Sequence, residues 1–278
     1  KENIMRDIGS NLANKQLINN IETILDKSIE AGINHIDITG TSIESSEIAK
    51  EIVNNHKREN LQLNFTSGFH PHSADKFCIN INENLMRLNN LLVDKSCSMV
   101  GELGLDYNRM FSTRENQIKC FEIQLDNANN YQDKPLFLHN RDSFEDFFNI
   151  IKNDNIKNKK IIHCFTGNKI EAKKFLENDF YFGITGWICD KKRNTDLIEA
   201  LKIIPVEKLL IETDSPYLIP LNMKKVQRKD INYPYYLTFI VDKISEIKNI
   251  DKMLLLETIN KTENELFSKS TRRLINQF

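Results

Sequence analysis

Residues 135–165 read PLFLHNRDSFEDFFNIIKNDNIKNKKIIHCF. A short apolar run, Pro135–His139, is followed by a polar stretch in which Phe144, Phe147, Phe148 and Ile151 recur at spacings of three and four. A second apolar run, Lys160–Phe165, closes the segment. The outer parts have the length and content of buried strands, and the middle has the period of an amphipathic helix. Strand, helix and strand in succession describe a parallel crossover unit.

The same alternation extends in both directions. Strand-length runs lie near Ile4–Ile8, Asn34–Thr39, Leu61–Gly68, Ser98–Leu103, Tyr181–Thr185 and Leu209–Thr213, which makes eight with the two above. Helical periodicity occupies the segments near 14–31, 43–57, 80–94, 114–131, 142–153, 168–178 and 194–203. Eight alternations predict an α/β fold, a (β/α)8 TIM barrel, better than an open doubly wound sheet, and no GxGxxG follows the first run to support the latter. An irregular stretch, 215–232, precedes two C-terminal helices near 234–248 and 251–269. No second core, repeat or linker is visible, so residues 1–278 are expected to form a single domain.

The 278 residues carry 38 Lys plus Arg against 39 Asp plus Glu, a net charge of −1, which excludes a globally basic nucleic-acid binder held by bulk charge. With 40% hydrophobic residues and 28% charged ones, the chain has the composition of a folded globular protein. No apolar stretch reaches membrane-spanning length and no signal-peptide segment opens the chain, although it begins at Lys1 rather than Met. The five cysteines, Cys78, Cys97, Cys120, Cys164 and Cys189, contain no CxxC, which argues against a disulfide framework or an all-cysteine zinc site. The expectation is a cytoplasmic protein with reduced thiols, no membrane association and no obligate protein partner.

In a barrel of this type chemistry sits at the carboxyl ends of the strands. Four of the six histidines fall there: His70 and His72 after the third run, His139 closing the fifth and His163 in the sixth. His35 and His56 do not, and read as structural or surface residues. Two carboxylates, Glu102 and Asp214, occupy equivalent late-strand positions. A buried carboxylate needs a cation, and imidazoles beside it point to a divalent metal: Zn²⁺, Mn²⁺ or Mg²⁺. Such an ion polarises an ester oxygen and generates a hydroxide nucleophile near neutral pH. No GxSxG elbow occurs, and Cys164 is expected to point away from its neighbour His163 across the strand, so a Cys–His nucleophile is disfavoured. Glu212 is left without a role.

Basic residues cluster on the same predicted rim. Lys191, Lys192 and Arg193 follow the seventh strand, Lys224, Lys225, Arg228 and Lys229 follow the eighth, and Arg109 and Arg141 follow the fourth and fifth. Runs of charge are usually solvated loops, but their shared position suits phosphate contacts. Trp187, Tyr107 and Tyr217 lie in the same loops and could stack bases.

Seven short motifs then stand in order: Asp7-Ile8-Gly9 with Asn11, Gly68-Phe69-His70-Pro71-His72, Gly101-Glu102-Leu103-Gly104-Leu105-Asp106, Leu138-His139-Asn140-Arg141-Asp142, His163-Cys164-Phe165-Thr166-Gly167, Gly183-Ile184-Thr185-Gly186-Trp187 and Glu212-Thr213-Asp214-Ser215-Pro216-Tyr217. Together they resemble the TatD-type metal-dependent deoxyribonucleases of the amidohydrolase-like barrels, over nearly the whole chain. The resemblance implies that Glu102, His139, His163 and Asp214 are metal ligands, with Glu102 able to bridge two ions and Asp214 also orienting or deprotonating the attacking water. It implies a place for His70 near the substrate phosphate or metal, with His72 beside it; the rim contacts to substrate expected from Arg141, Trp187, Lys224 and Arg228 rest on their position alone. The implied activity is 3′-5′ exonucleolytic hydrolysis of single-stranded DNA ends, in DNA repair or degradation. A metal-dependent hydrolase of a small ester, amide or aminoacyl ester is the alternative that the same barrel allows.

Many members of the family carry a His-x-His pair on the first strand, where this chain has Gly9 and Asn11. One divalent ion is therefore expected to be held firmly by Glu102, His139 and His163. A second would find only Glu102, Asp214, Asn11 and water or substrate oxygens, and would bind weakly.

Overall fold

The computed structural model describes residues 4–152 and 155–267. The expected helix ends at 153 and 269, and the outermost residues of the expected 1–278 domain, lie outside these. The elements follow in the order β1 (Met5–Ser10), α1 (Lys15–Ile18), α2 (Ile21–Glu30), β2 (Ile33–Ile38), α3 (Ile43–Asn55), β3 (Gln62–Ser67), α4 (Ala74–Ile79), α5 (Ile81–Leu92), β4 (Cys97–Asp106) and α6 (Arg114–Ala128). They continue with β5 (Leu136–Arg141), α7 (Phe144–Ile151), β6 (Lys160–Ile162), α8 (Lys169–Glu177), β7 (Phe180–Ile184), α9 (Thr195–Ile203), β8 (Leu209–Ile211), α10 (Leu237–Lys248) and α11 (Lys252–Phe267).

The eight strands pair in parallel in sequence order, from β1 to β8. The remaining seam, between β8 and β1, is closed by the residues that follow β8. The Asp214 N–H donates to the Gly9 carbonyl (2.8 Å) and the Asn11 N–H to the Ser215 carbonyl (2.8 Å). Lower on the seam the buried Asp7 carboxylate accepts the Thr213 N–H (2.9 Å) and hydroxyl (2.5 Å). Eight parallel strands thus make the expected barrel, nearly closed by its ladder and completed by side chains and loop backbone.

Inside, Ile8, Met99, Phe137, Ile161, Tyr181 and Leu210 pack together, with Leu266 of α11 joining them from the end of the chain. Outside, the helices press Leu, Ile and Phe onto the sheet; the stripe on α7 buries Phe147 and Ile151. Small polar side chains start these helices by accepting otherwise unpaired N–H groups, as Ser42 does for α3, Thr113 for α6 and Asn168 for α8. The single helix expected over 14–31 is divided at Asn19-Asn20, where Asn19 terminates α1. The sixth strand stops at Ile162 rather than Phe165, and the fourth runs three residues beyond Leu103, to Asp106. Both differences fall at the mouth of the barrel, where the chain leaves the sheet to form the site.

Candidate active site

Glu102 projects from β4 at the carboxyl end of the barrel and is 4% exposed. Three imidazole nitrogens converge on its Oε1: His139 Nδ1 at 2.8 Å, His70 Nε2 at 3.3 Å and His163 Nε2 at 3.3 Å. Each comes from a different strand end, so the barrel's curvature assembles residues far apart in the chain. Among the described residues no Lys or Arg pairs with Glu102. Burial alone would push this carboxyl up, but His163, His70 and His139 hold it well below the usual range.

Each histidine is oriented by a partner behind it. His163 Nδ1 stands 2.6 Å from Glu212 Oε1, close enough for an ion pair but outside hydrogen-bond geometry. That pairing leaves Nε2 to face Glu102. His139 Nε2 lies 3.1 Å from Asp106 Oδ2, which leaves Nδ1 to face Glu102. An imidazole backed by a carboxylate on one nitrogen and open on the other is the arrangement that ligating histidines use. His70 differs. Its Nδ1 accepts the backbone N–H of His72 (3.0 Å), so its neutral ring carries the proton on Nε2 and presents a donor. Burial takes its pKa down to about 4, with Glu102 opposing.

Asp214 follows β8 with φ 54°, in the left-handed region, and Asn11 Nδ2 donates to its Oδ1 at 3.0 Å. Burial raises its pKa to about 7; His163 opposes this, while Glu102 and Glu212 add to it. Asn11 is thus tied to Asp214 rather than standing free. At Gly9 an added Cβ would lie 2.8 Å from Phe137 Cζ and 3.3 Å from Glu212 Oε2. Phe137 and Glu212 therefore fill the space that a first-strand imidazole would need. Gly104 serves the site differently: a Cβ there would fall 1.8 Å from the His139 carbonyl, so its lack of a side chain lets β4 approach the strand that carries His139.

Two residues absent from the expected site are part of it. Asp106, the last residue of β4, accepts from His139 and His72 on Oδ2 and from the Asn108 and Arg109 N–H groups (both 3.0 Å) on Oδ1. Its signal was present in the sequence, because it lies two alternations beyond Glu102 on the same face of the strand. Glu212, fully buried, also accepts the Cys164 N–H at 2.9 Å. Neither His163 nor Cys164 lies within a strand, which corrects the expected reason for keeping the two side chains apart. Cys164 instead takes φ 46°, its thiol sits 3.5 Å from the Thr185 hydroxyl, and burial pushes its pKa up to about 12.

The donor set fits a cation. Two groups, His70 with Glu102 and His139, and His70 with His72 and Asp106, place potential ligand atoms within 4.8 Å of one another; His70 ligates only if its Nε2 gives up the proton, and the expected ligands His163 and Asp214 fall in neither group. Spacings near 3 Å between Glu102 and the imidazoles match the edges of a coordination shell, and oxygen with imidazole nitrogen suits a divalent ion.

The rim residues are disposed less uniformly. His72 is half-buried beside His70, their ring centroids 4.2 Å apart. Arg141 ends β5 with an exposed side chain, and Lys224 and half-buried Arg228 stand on the loop after β8. Trp187 is covered by the Arg193 guanidinium, 4.0 Å from its ring centroid, and its indole N–H donates to the Arg193 carbonyl. His35 and His56 lie elsewhere, bonded to Asn64 and Glu22. No helix among the described residues is long and apolar enough to cross a membrane.

The family model described as TatD-related DNase matches residues 6–268. The 3′-5′ ssDNA/RNA exonuclease TatD of Escherichia coli strain K12 is 34% identical over 265 residues, spanning 95% of this chain and 98% of that protein. The protein of the same name in Salmonella typhimurium is 33% identical over the same shares. A TatD-family hydrolase from Entamoeba histolytica superposes with a TM-score of 0.84 at 26% identity, covering 95% of this chain and 97% of the other. A TatD homologue from Escherichia coli K12, at 21% identity and a TM-score of 0.83 over 95% and 98% of the two chains, shares the fold. With a family match over almost its whole length and an eight-stranded barrel like theirs, this chain belongs to the TatD-related DNase family.

Proposed function

We propose that this chain is a divalent-metal-dependent nuclease that hydrolyses phosphodiester bonds from the 3′ end of single-stranded DNA, with single-stranded RNA as a second substrate. The observation that carries this reading is the convergence of three imidazoles on one buried oxygen of Glu102, in a chain whose relatives are named 3′-5′ ssDNA/RNA exonucleases. Glu102, His139, His163 and Asp214 hold the ion. One is retained firmly, and a second binds weakly because Gly9 and Asn11 offer it no imidazole. When bound, such an ion polarises the scissile phosphate and acidifies the attacking water. Mg²⁺, Mn²⁺ and Zn²⁺ all suit the donor set.

The protein's own groups supply the rest. His70 presents Nε2–H as a donor to a non-bridging phosphate oxygen. Asp214, steadied by Asn11, orients the water and takes its proton at a carboxylate oxygen. Glu212 and Asp106 keep His163 and His139 facing inward. Arg141, Lys224 and Arg228 attract the phosphate backbone at the rim, and His72, beside His70, lies next to the substrate. A cytoplasmic setting agrees with five cysteines that are all free.

The test is to incubate metal-reconstituted protein with end-labelled single-stranded DNA, matched RNA, duplex DNA and a generic small phosphodiester. Stepwise shortening from the 3′ end of single strands, abolished by EDTA, is expected. Equal or faster turnover of the small ester, with oligonucleotides untouched, would overturn the nuclease reading in favour of a small-ester hydrolase.

A further inference from the structure

The loop between β4 and α6 holds a phenyl ring out into solvent at the edge of the site. Phe111 is 65% exposed, and Met110 before it 53%. The loop around them is tied down on both sides. Asp106 Oδ1 accepts the Asn108 and Arg109 N–H groups, and the Phe111 N–H donates to the Arg109 carbonyl at 3.0 Å. Next to the ring, the Ser112 hydroxyl donates to the His72 carbonyl (3.1 Å) and accepts the Asp75 N–H (3.0 Å), while Gln117 Nε2 donates to the Ser112 carbonyl (3.1 Å). The ring is thus exposed on an anchored loop.

It is also continuous with the cluster around Glu102. Phe111 meets His72 edge to face, with centroids 4.9 Å apart and planes at 76°. His72 meets His70 at 4.2 Å and 70°, and His70 Nε2 is 3.3 Å from Glu102 Oε1. A file of rings therefore leads from the buried carboxylate to solvent and ends in one with open surface. Holding an apolar ring in water is unfavourable, and a pre-oriented ring loses little entropy when a planar partner covers it. Of the aromatic candidates in these loops two are already engaged, while Tyr217, 53% exposed, touches solvent as well but has no ring contact leading to Glu102 among the described residues. The Tyr107 hydroxyl donates to Asp146 (2.6 Å) and its ring faces Arg114; Trp187 lies under Arg193.

We propose that Phe111 is the stacking platform for the nucleobase beside the scissile phosphate, and that it helps select unpaired ends. This rests on the nuclease reading above and adds a residue that recognises the base. Every base has a π-face, so the contact tolerates any sequence. A base paired and stacked at a duplex end must first unstack to reach the ring, whereas a single-stranded end offers it at small cost. The exposed Arg109, two residues earlier, supplies a cation for the adjoining backbone.

The experiment compares wild type, Phe111→Ala, Phe111→Leu and Phe111→Trp. Affinity is read by anisotropy of a 5′-labelled single strand with a nuclease-resistant terminal linkage, made once with a normal 3′ nucleotide and once with an abasic one. Hydrolysis of a normal single strand by wild type is measured in parallel. Phe111→Ala should weaken binding of the normal end about 5- to 100-fold and leave the abasic end unchanged. Leu, apolar but without a π-face, should fall close to Ala, and Trp should match or exceed wild type. Equal losses on both ends, or no loss with Ala, would overturn the stacking role while wild-type hydrolysis upholds the nuclease reading. Failure of wild type to bind or cut any strand would overturn that reading and this inference with it.

Discussion

Two buried carboxylates in one barrel, Asp37 and Glu102, have opposite kinds of partner. Asp37 of β2 meets Arg6 of β1 through two hydrogen bonds, 2.7 and 2.9 Å, and accepts the Ser98 hydroxyl at 2.6 Å. Phe267 of α11 covers the guanidinium, 3.7 Å from its ring centroid. Glu102, at the mouth, meets imidazoles. Burial would raise the pKa of Asp37, yet Arg6 and His35 hold it below the usual range. The difference separates structure from chemistry. A guanidinium is a permanent cation that cannot leave, so Asp37 is neutralised for the lifetime of the fold. Imidazoles can give up their protons and turn their lone pairs inward, so the charge of Glu102 is left for an exchangeable cation to balance. The two ends of a TIM barrel commonly divide stability from function in this way.

The largest effect expected from breaking this division lies at the mouth. Glu102→Ala or His163→Ala should reduce turnover by roughly 10²–10³-fold or more, with metal content falling in parallel and thermal unfolding of the metal-free protein little changed. Elemental analysis of desalted protein beside activity measures both. A Glu102→Ala protein that keeps its ion and its rate would show that the mouth carries no more chemistry than the floor.

At the floor, Arg6→Leu strands Asp37 as an unpaired buried charge. A loss of about 3–5 kcal/mol of stability is expected, read by urea unfolding, while the protein that remains folded keeps its kcat. A fall in kcat at constant fold would mean that the two ends are coupled.

Smaller effects sharpen the comparison. Asp106→Asn and Glu212→Gln leave the imidazoles in place but disturb what orients them. All four partners of Asp106 are donors when His72 and His139 carry their protons on Nε2, so the amide NH₂ of Asn must face two of them wherever it turns. Metal affinity should drop about 10- to 100-fold in each variant, measured by calorimetric titration. Unaltered affinity would reduce both acids to structural roles.

A last effect, read through pH alone, concerns Glu263 of α11, buried close enough to Arg6 and Asp37 to feel their charges. Burial raises its pKa to about 8, with Arg6 opposing and Asp37 adding. The folded protein then holds a proton that the unfolded chain releases near pH 4.5, so this group should make stability fall as pH rises from about 4.5 to 8. Glu263→Gln should flatten that slope by up to a few kcal/mol across the window, seen in unfolding curves at pH 5 and pH 8. An unchanged slope would place the titration elsewhere.

Local pattern carries much of this. The period of two in strands and of three to four in helices is a property of neighbouring residues, so the run from Pro135 to Phe165 already shows a crossover unit, and its repetition shows the barrel. Histidines and acids at strand ends are local too, which is why the spacing of Glu102, His70, His139 and His163 already directs them to one rim. Strand ends are less legible. The chain leaves β6 at Ile162 because His163 and Cys164 turn toward Glu212, a residue remote in sequence, and nothing near Phe165 records it.

By itself, then, the sequence determined the alternation of elements, the parallel barrel and the set of residues offered to its mouth, since these follow from spacing along one chain. Only the tertiary structure decided which of those residues meet. Closing the sheet brings strand ends distant in sequence within 3.2 Å, and that pairs Glu212 with His163 and Asp106 with both His72 and His139. It also places Arg193 over Trp187 while leaving Phe111 open beside His72, because the covering of a ring depends on which loops share a rim and how each is anchored.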